Sequence, residues 1–174
     1  MTGAPWLVEW NDTTSVDKLW DTIVAHDADD SIITGGTNGD NDKIKSHIGL
    51  AGGHAYTIIG YHVLSNGVKL LKLRNPWGVE TFTGPWSDSS ALWTEALKAE
   101  VNLKPNSEDG FFYISLEDYY SSTFGTFINY DVEGMGHDYF LMLNDDLSTN
   151  EDDWAFHCVG ACSMNTMVIT SEID

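Results

Sequence analysis

HAYTIIGYHVL-SNG-VKLLKLR, residues 54–74, is the stretch that decides the fold. Two runs rich in β-branched, aromatic and aliphatic residues flank Ser65, Asn66 and Gly67. Asn-Gly between two such runs is the strongest short-range hairpin signal, because its residues accept the left-handed backbone that a tight turn needs. The runs are therefore expected to pair antiparallel. Pairing sets the start of the first strand beside the end of the second, so His54 and Asn75 fall at one end of one sheet.

Outward from the hairpin, Val16, Leu19, Trp20, Ile23 and Val24 recur at helical spacing behind a Thr14 or Ser15 cap. The polar, glycine-rich stretch from Gly35 to Lys45 reads as a mobile surface loop. Ser90 to Ala99 suggests a short helix, Gly110 to Ile114 a strand, and Phe124 to Tyr130 another strand. Ser115 with Asp118 resembles a capping box opening a helix through Tyr120. The character of the chain changes near 131–138. An acidic segment, Asn144 to Asp153, follows, and then a β-like tail ending in Met167 to Thr170. The expected organisation is one domain over residues 1–133, and a linker with the start of a β-rich module over 134–174.

Composition narrows the function classes. The hydrophobic share of 42% supports a buried core, while the net charge of −19, with only eight Lys and Arg, argues against nucleic acid and anionic membranes. No run approaches the roughly 18 apolar residues of a membrane span. Cys158 and Cys162 are too few for a disulfide framework. With His157 they would still make a poor zinc site, so they read as buried thiols. Met1 to Trp10 lacks a basic segment leading into an apolar one. The expected setting is intracellular and reducing, most simply the cytoplasm.

Two segments carry chemistry: Gly52-Gly53-His54-Ala55-Tyr56, and Arg74-Asn75-Pro76-Trp77-Gly78 with Thr83-Gly84-Pro85-Trp86-Ser87-Asp88. A thiol protease needs an imidazole to take the thiol proton and return it to the leaving amine. It needs a neutral acceptor to orient the ring, and an asparagine amide serves. A large aromatic group beside the pair excludes water and strengthens the hydrogen bond. His54, Asn75 and Trp77 are the right types, although each alone has an ordinary structural reading: a satisfied strand-end histidine, a turn before proline, a core tryptophan.

Gly-His-Ala-Tyr, Leu-Arg-Asn-Pro-Trp-Gly, Thr-Gly-x-Trp-Ser-Asp and Glu108-Asp109-Gly110-x-Phe112, in that order, resemble the second half of the calpain protease core. The opening Thr2 to Pro5 resembles the family's entry into that subdomain, and the likeness runs over residues 2–130. It implies an α+β fold, the papain-like cysteine protease His/Asn subdomain, with a barrel-like antiparallel sheet and short flanking helices. It implies His54 as catalytic base, Asn75 as its orienting partner and Trp77 as the tryptophan shielding the active site. It implies intracellular endoproteolysis of protein substrates through a thioester.

The family order is cysteine, histidine, asparagine, and no cysteine precedes His54. The cysteine-bearing half, which also builds the oxyanion hole, is the implied partner, expected upstream in a longer protein. The resemblance also implies Ca2+. Asp88 and Asp109 match two of the family's calcium carboxylates, but Thr81 and Phe111 stand where it has glutamates, and Glu80 is one residue out of step. Calcium wants six to eight oxygen ligands, so Asp88 and Asp109 are weak calcium candidates. Asp27 to Asp30 and Asp40 to Asp42 lack the EF-hand pattern and read as solvated. Two rivals come from other classes: a decayed protease domain serving as a protein-binding scaffold, and a sugar- or peptide-binding domain using exposed Trp6, Trp10 or Trp86.

Overall fold

A computed structural model describes residues 6–29 and 31–129, and the backbone of 137–142 and 155–160. The chain divides into two compact units, one of them Pro5–Asp131. That unit is built on a six-stranded, wholly antiparallel sheet in the order β1-β6-β2-β3-β4-β5. Its strands are β1 (Trp6–Trp10), β2 (Ile32–Thr37), β3 (Ala55–Val63), β4 (Lys69–Arg74), β5 (Phe111–Ser115) and β6 (Thr123–Asn129). The helices are α1 (Val16–Ala28), α2 (Glu95–Glu100) and α3 (Leu116–Ser122). The expected α+β architecture is the observed one.

The hairpin forms as read. Leu64 N–H donates to Val68 O (2.9 Å), Gly67 N–H donates to Leu64 O (2.8 Å), and Gly67 takes a φ of +87°. These are the marks of a three-residue loop whose last residue is left-handed, where glycine avoids a Cβ clash. A bulge at Ile59 shifts the β3–β4 register between Ile58 and Gly60. The extra residue reverses the alternation, so Ile58 lies in the core while Tyr61 meets Trp20 of α1 edge-on at 5.3 Å.

α1 starts where its cap predicts. Ser15 Oγ accepts from Lys18 N–H (3.3 Å), and Leu19, Trp20 and Ile23 are buried. They pack with Ile33, Ile58, Leu71, Leu73, Phe112, Ile114 and Ile128 from one sheet face, and with Leu116 and Tyr119 of α3. Glu9 of β1 ties strand to helix: its carboxylate accepts from Thr14 Oγ1 (2.6 Å) and from Lys18 Nζ (3.2 Å). Ser115 Oγ accepts from Asp118 N–H (3.1 Å) and caps α3. On the opposite face, Trp86 and Trp93 cover Leu70 and Tyr113.

Three expectations change. Gly35, Gly36 and Thr37 are the buried end of β2, inside the sheet, not loop. Both glycines have a steric reason. A Cβ on Gly35 would run into the Tyr119 ring, and one on Gly36 would come within 2.6 Å of Phe124. Only the remainder, from Asn38, is loop. The helix expected over 90–99 begins at Glu95, because Thr94 Oγ1 accepts from Leu97 N–H (3.2 Å) and caps it. Trp86 is buried, at 7% exposure, whereas Trp6 and Trp10 are exposed. The first strand, Trp6–Trp10, was not foreseen.

In the second unit, β7 (His137–Met142) and β8 (Ala155–Gly160) pair antiparallel, with Cys158 opposite Tyr139. Thr2 to Pro5, the whole acidic segment 144–153, Cys162 and the 167–170 tail lie outside the described residues.

Candidate active site

The hairpin ends place the site. Thr57 of β3 pairs with Arg74 of β4, which puts His54 and Asn75 just beyond adjacent strand ends. The His54 backbone is clamped to β2: its N–H donates to Thr37 Oγ1 (2.9 Å), and Thr37 N–H donates to His54 O (2.9 Å). Gly53 precedes it at a φ of +56°, where a Cβ would come within 2.7 Å of Gly39 O. Any larger residue there would lift the 38–41 loop off the histidine.

Asn75 is fully buried and opens a turn: Gly78 N–H donates to Asn75 O (3.0 Å), with Pro76 supplying the preset φ of the first turn residue. Asn75 N–H donates to Gly110 O at the start of β5 (2.8 Å). The carboxamide has no freedom to flip. Nδ2 donates to Val79 O (3.0 Å), and Oδ1 accepts from Trp77 N–H (3.1 Å).

That fixed amide sets the histidine tautomer. His54 Nε2 lies 3.1 Å from Asn75 Oδ1. Since Oδ1 can only accept, Nε2 must carry the proton, and in the neutral ring Nδ1 holds the free lone pair. The ring is held on both sides: Trp77 tilts across it at 4.3 Å between centroids, and Tyr56 meets it edge-on at 4.9 Å. His54 is half-buried, and Trp77 remains 44% exposed, forming a wall between the ring and solvent. The arrangement is an oriented imidazole whose Nδ1 is left free by the Asn75 contact, partly shielded from water.

The family model for calpain family cysteine proteases matches residues 1–127. The chain belongs to the calpain family of cysteine proteases. It is 35% identical over 103 residues to the calpain-type cysteine protease ADL1 of Oryza sativa subsp. japonica, covering 59% of this chain and 5% of that protein. It is 40% identical over 97 residues to mouse (Mus musculus) calpain-12, covering 53% and 13% of the two chains. To human (Homo sapiens) calpain-14 it is 37% identical over 107 residues, covering 59% and 15%. The chain thus spans a small fraction of these curated relatives. Among the described residues no helix is long and apolar enough to cross a membrane.

Beyond His54 and Asn75, the turn after Asn75 leads to a group of carboxylates. Glu80 Oε1 accepts from Asp88 N–H (3.1 Å), Glu80 N–H donates to Ser107 O (2.9 Å), and Asp88 Oδ2 accepts from Asn106 N–H (2.6 Å). Asp109 Oδ1 accepts from Phe111 N–H (2.9 Å). Glu80, out of step in the sequence, reaches the same neighbourhood as both aspartates. The 78–83 segment is irregular, so strand alternation does not assign its sides. Thr81, in the family's glutamate position, turns away and donates to Gly49 O (2.8 Å). Among the described residues no three acidic, imidazole or thiol groups converge to hold a metal ion. The residues present are thus a poor fit to a calcium cage, with three carboxylates already spending an oxygen each on backbone N–H groups.

Burial, then repulsion from Asp88 and Asp109, pushes the Glu80 carboxyl up to about 7, against the donated Asp88 N–H. Burial likewise raises Asp88. Because the folded-state value of Glu80 lies above its ordinary 4.5, its contribution favours the fold below pH 4.5 and is lost as pH rises through 7. Glu80→Gln keeps the acceptor for Asp88 N–H and removes the charge. The variant is expected to be stabilised relative to wild type at pH 8 and to differ little at pH 5. Thermal midpoints across that range check it, and a gap that does not widen with pH would contradict it.

Proposed function

We propose that this chain supplies the histidine–asparagine half of a calpain-type cysteine endopeptidase and works with a cysteine-bearing half of the same parent protein. The 3.1 Å His54–Asn75 contact, with the amide orientation fixed by Val79 and Trp77, is the observation that carries the reading. In that mechanism Nδ1 of His54 takes the thiol proton, and the thiolate attacks the scissile carbonyl. The imidazolium, held by Asn75, then protonates the leaving amine, and water hydrolyses the thioester. Trp77 limits water at the ring. The cysteine half contributes the nucleophile and the oxyanion donors.

Since no cysteine precedes His54, the 174-residue chain alone is expected to hydrolyse no peptide bond. A fluorogenic peptide assay with and without the cysteine-bearing half tests both statements. Activity only in the mixture, blocked by a thiol alkylator, supports the reading. Alkylator-sensitive turnover by the isolated chain overturns the two-half account, and an inert mixture favours a protein-binding role.

Calcium, in this proposal, binds weakly. Asp88 and Asp109 remain, Thr81 and Phe111 offer no carboxylate, and Glu80 is neutral over part of the neutral range. Isothermal titration of the chain with calcium is expected to give millimolar or weaker binding. Tight binding lost in Asp109→Ala would contradict it.

A further inference from the structure

The outer face of the sheet is covered at β4 and β5 by Trp86 and Trp93, but exposed aromatic rings remain across β1 and β6. Trp10 and Phe124 are 46% and 41% exposed and stack on each other at 5.9 Å, with Phe127 edge-on to both. Beside them opens a pocket of about 530 Å³ lined by Trp10, Asn11, Asp12, Asn38, Thr123 and Phe124. Its one ionisable side chain is the Asp12 carboxylate, an acceptor, beside the neutral polar groups of Asn11, Asn38 and Thr123. Asn11 is locked, its Nδ2 donating to Tyr120 O (2.7 Å), Thr123 O (2.8 Å) and Thr123 Oγ1 (3.0 Å), which leaves its Oδ1 buried with no donor. The Asp12 side chain is exposed and takes no hydrogen bond or ion pair among the described residues.

The pocket lies at the catalytic end of the sheet. Thr37, which clamps His54, pairs with Thr123, and Asn38 O accepts from Gly53 N–H (3.3 Å). From β3 to β1 is three strand steps. At about 4.8 Å per step that is roughly 14 Å, which an extended peptide at ~3.3 Å per residue covers in about four residues.

We propose that this pocket is a substrate subsite for an arginine side chain about four residues from the scissile bond. The proposal rests on the protease reading for its role, while arginine binding itself does not. A guanidinium stacks on an exposed indole face and pairs with a carboxylate at its edge. The net charge of −19 draws a cationic segment toward the surface. An apolar side chain would cover the rings but leave Asp12 unpaired.

The test uses the isolated chain, N-acetyl-argininamide and its neutral isostere N-acetyl-citrullinamide, read by NMR at the indole N–H of Trp10. The arginine compound is expected to shift Trp10 and Phe124 signals saturably, and citrulline to do so several-fold less. Asp12→Asn, an exposed change that leaves the fold alone, is expected to weaken arginine binding by roughly two- to fivefold. Equal shifts with citrulline, or shifts spread over the acidic surface and indifferent to Asp12→Asn, overturn the proposal. In the completed protease core, the ratio of kcat/KM for substrates with arginine at that distance to kcat/KM for substrates without it should fall several-fold in Asp12→Asn, and an unchanged ratio would contradict the subsite. Saturable arginine binding beside an inert core would instead count against the protease reading alone.

Discussion

His54→Ala, placed in a protease core completed by a cysteine-bearing half, is expected to lower kcat/KM on the order of a million-fold, as loss of one member of a nucleophile–base unit does. The size follows from the geometry. Nδ1 of His54 is the basic nitrogen that the Asn75 contact leaves open, and the same ring must return the proton to the leaving amine. Alanine removes both transfers and takes away the ring that Trp77 tilts across. Asn75→Ala is expected to cost less, because the imidazole persists and loses only its orientation. Asn75→Asp discriminates further. It retains an acceptor for His54 but turns a carboxylate oxygen on Val79 O, where Nδ2 now donates at 3.0 Å. Initial rates on one fluorogenic peptide rank the three. A His54→Ala core within tenfold of wild type would contradict the assignment.

Phe112→Ala is expected to destabilise the unit by about 3–5 kcal/mol. Phe112 is 1% exposed at the start of β5. It stacks on Phe82 at 4.9 Å and meets Tyr56 edge-on at 5.7 Å. The cost has two parts, the lost transfer energy of the ring and the cavity left under Tyr56. Domains are held by only about 5–15 kcal/mol in total, so the variant should approach unfolding at room temperature. Tyr56 in turn edges His54, so surviving folded protein should also show a loosened imidazole. Urea denaturation measures the loss; Phe112→Leu, which keeps most of the volume, should lose less than half as much. A change under about 1 kcal/mol for Phe112→Ala would mean the cavity collapses freely.

What could be read in the sequence is what local rules govern. The β3–β4 hairpin follows from alternation and Asn66-Gly67, α1 from its period and Ser15, and α3 from the Ser115 cap. From the hairpin alone, the proximity of His54 and Asn75 followed. The strands missed are those whose evidence is distant. β1 pairs only with β6, more than a hundred residues away, as Trp10 with Gly125 shows. β2 carries two glycines that imitate a loop, and their reason appears only when Tyr119 and Phe124 fold back over them. Within the site, residue types were legible but the amide orientation was not, since Val79 O and Trp77 N–H fix it through a turn that has no strand or helix period. The same irregular turn carries Glu80 to Asp88, which counting residues from a motif could not foretell.

The central claim is that Asn75 holds the His54 ring by its Nε2 proton and so leaves Nδ1 as the base. A two-bond proton–nitrogen NMR correlation of the imidazole in the isolated chain tests it directly. For the neutral form of the ring the account predicts the proton on Nε2, with that N–H protected from water exchange and the protection abolished in Asn75→Ala. A proton on Nδ1, or a protected Nε2–H that survives Asn75→Ala, would contradict it.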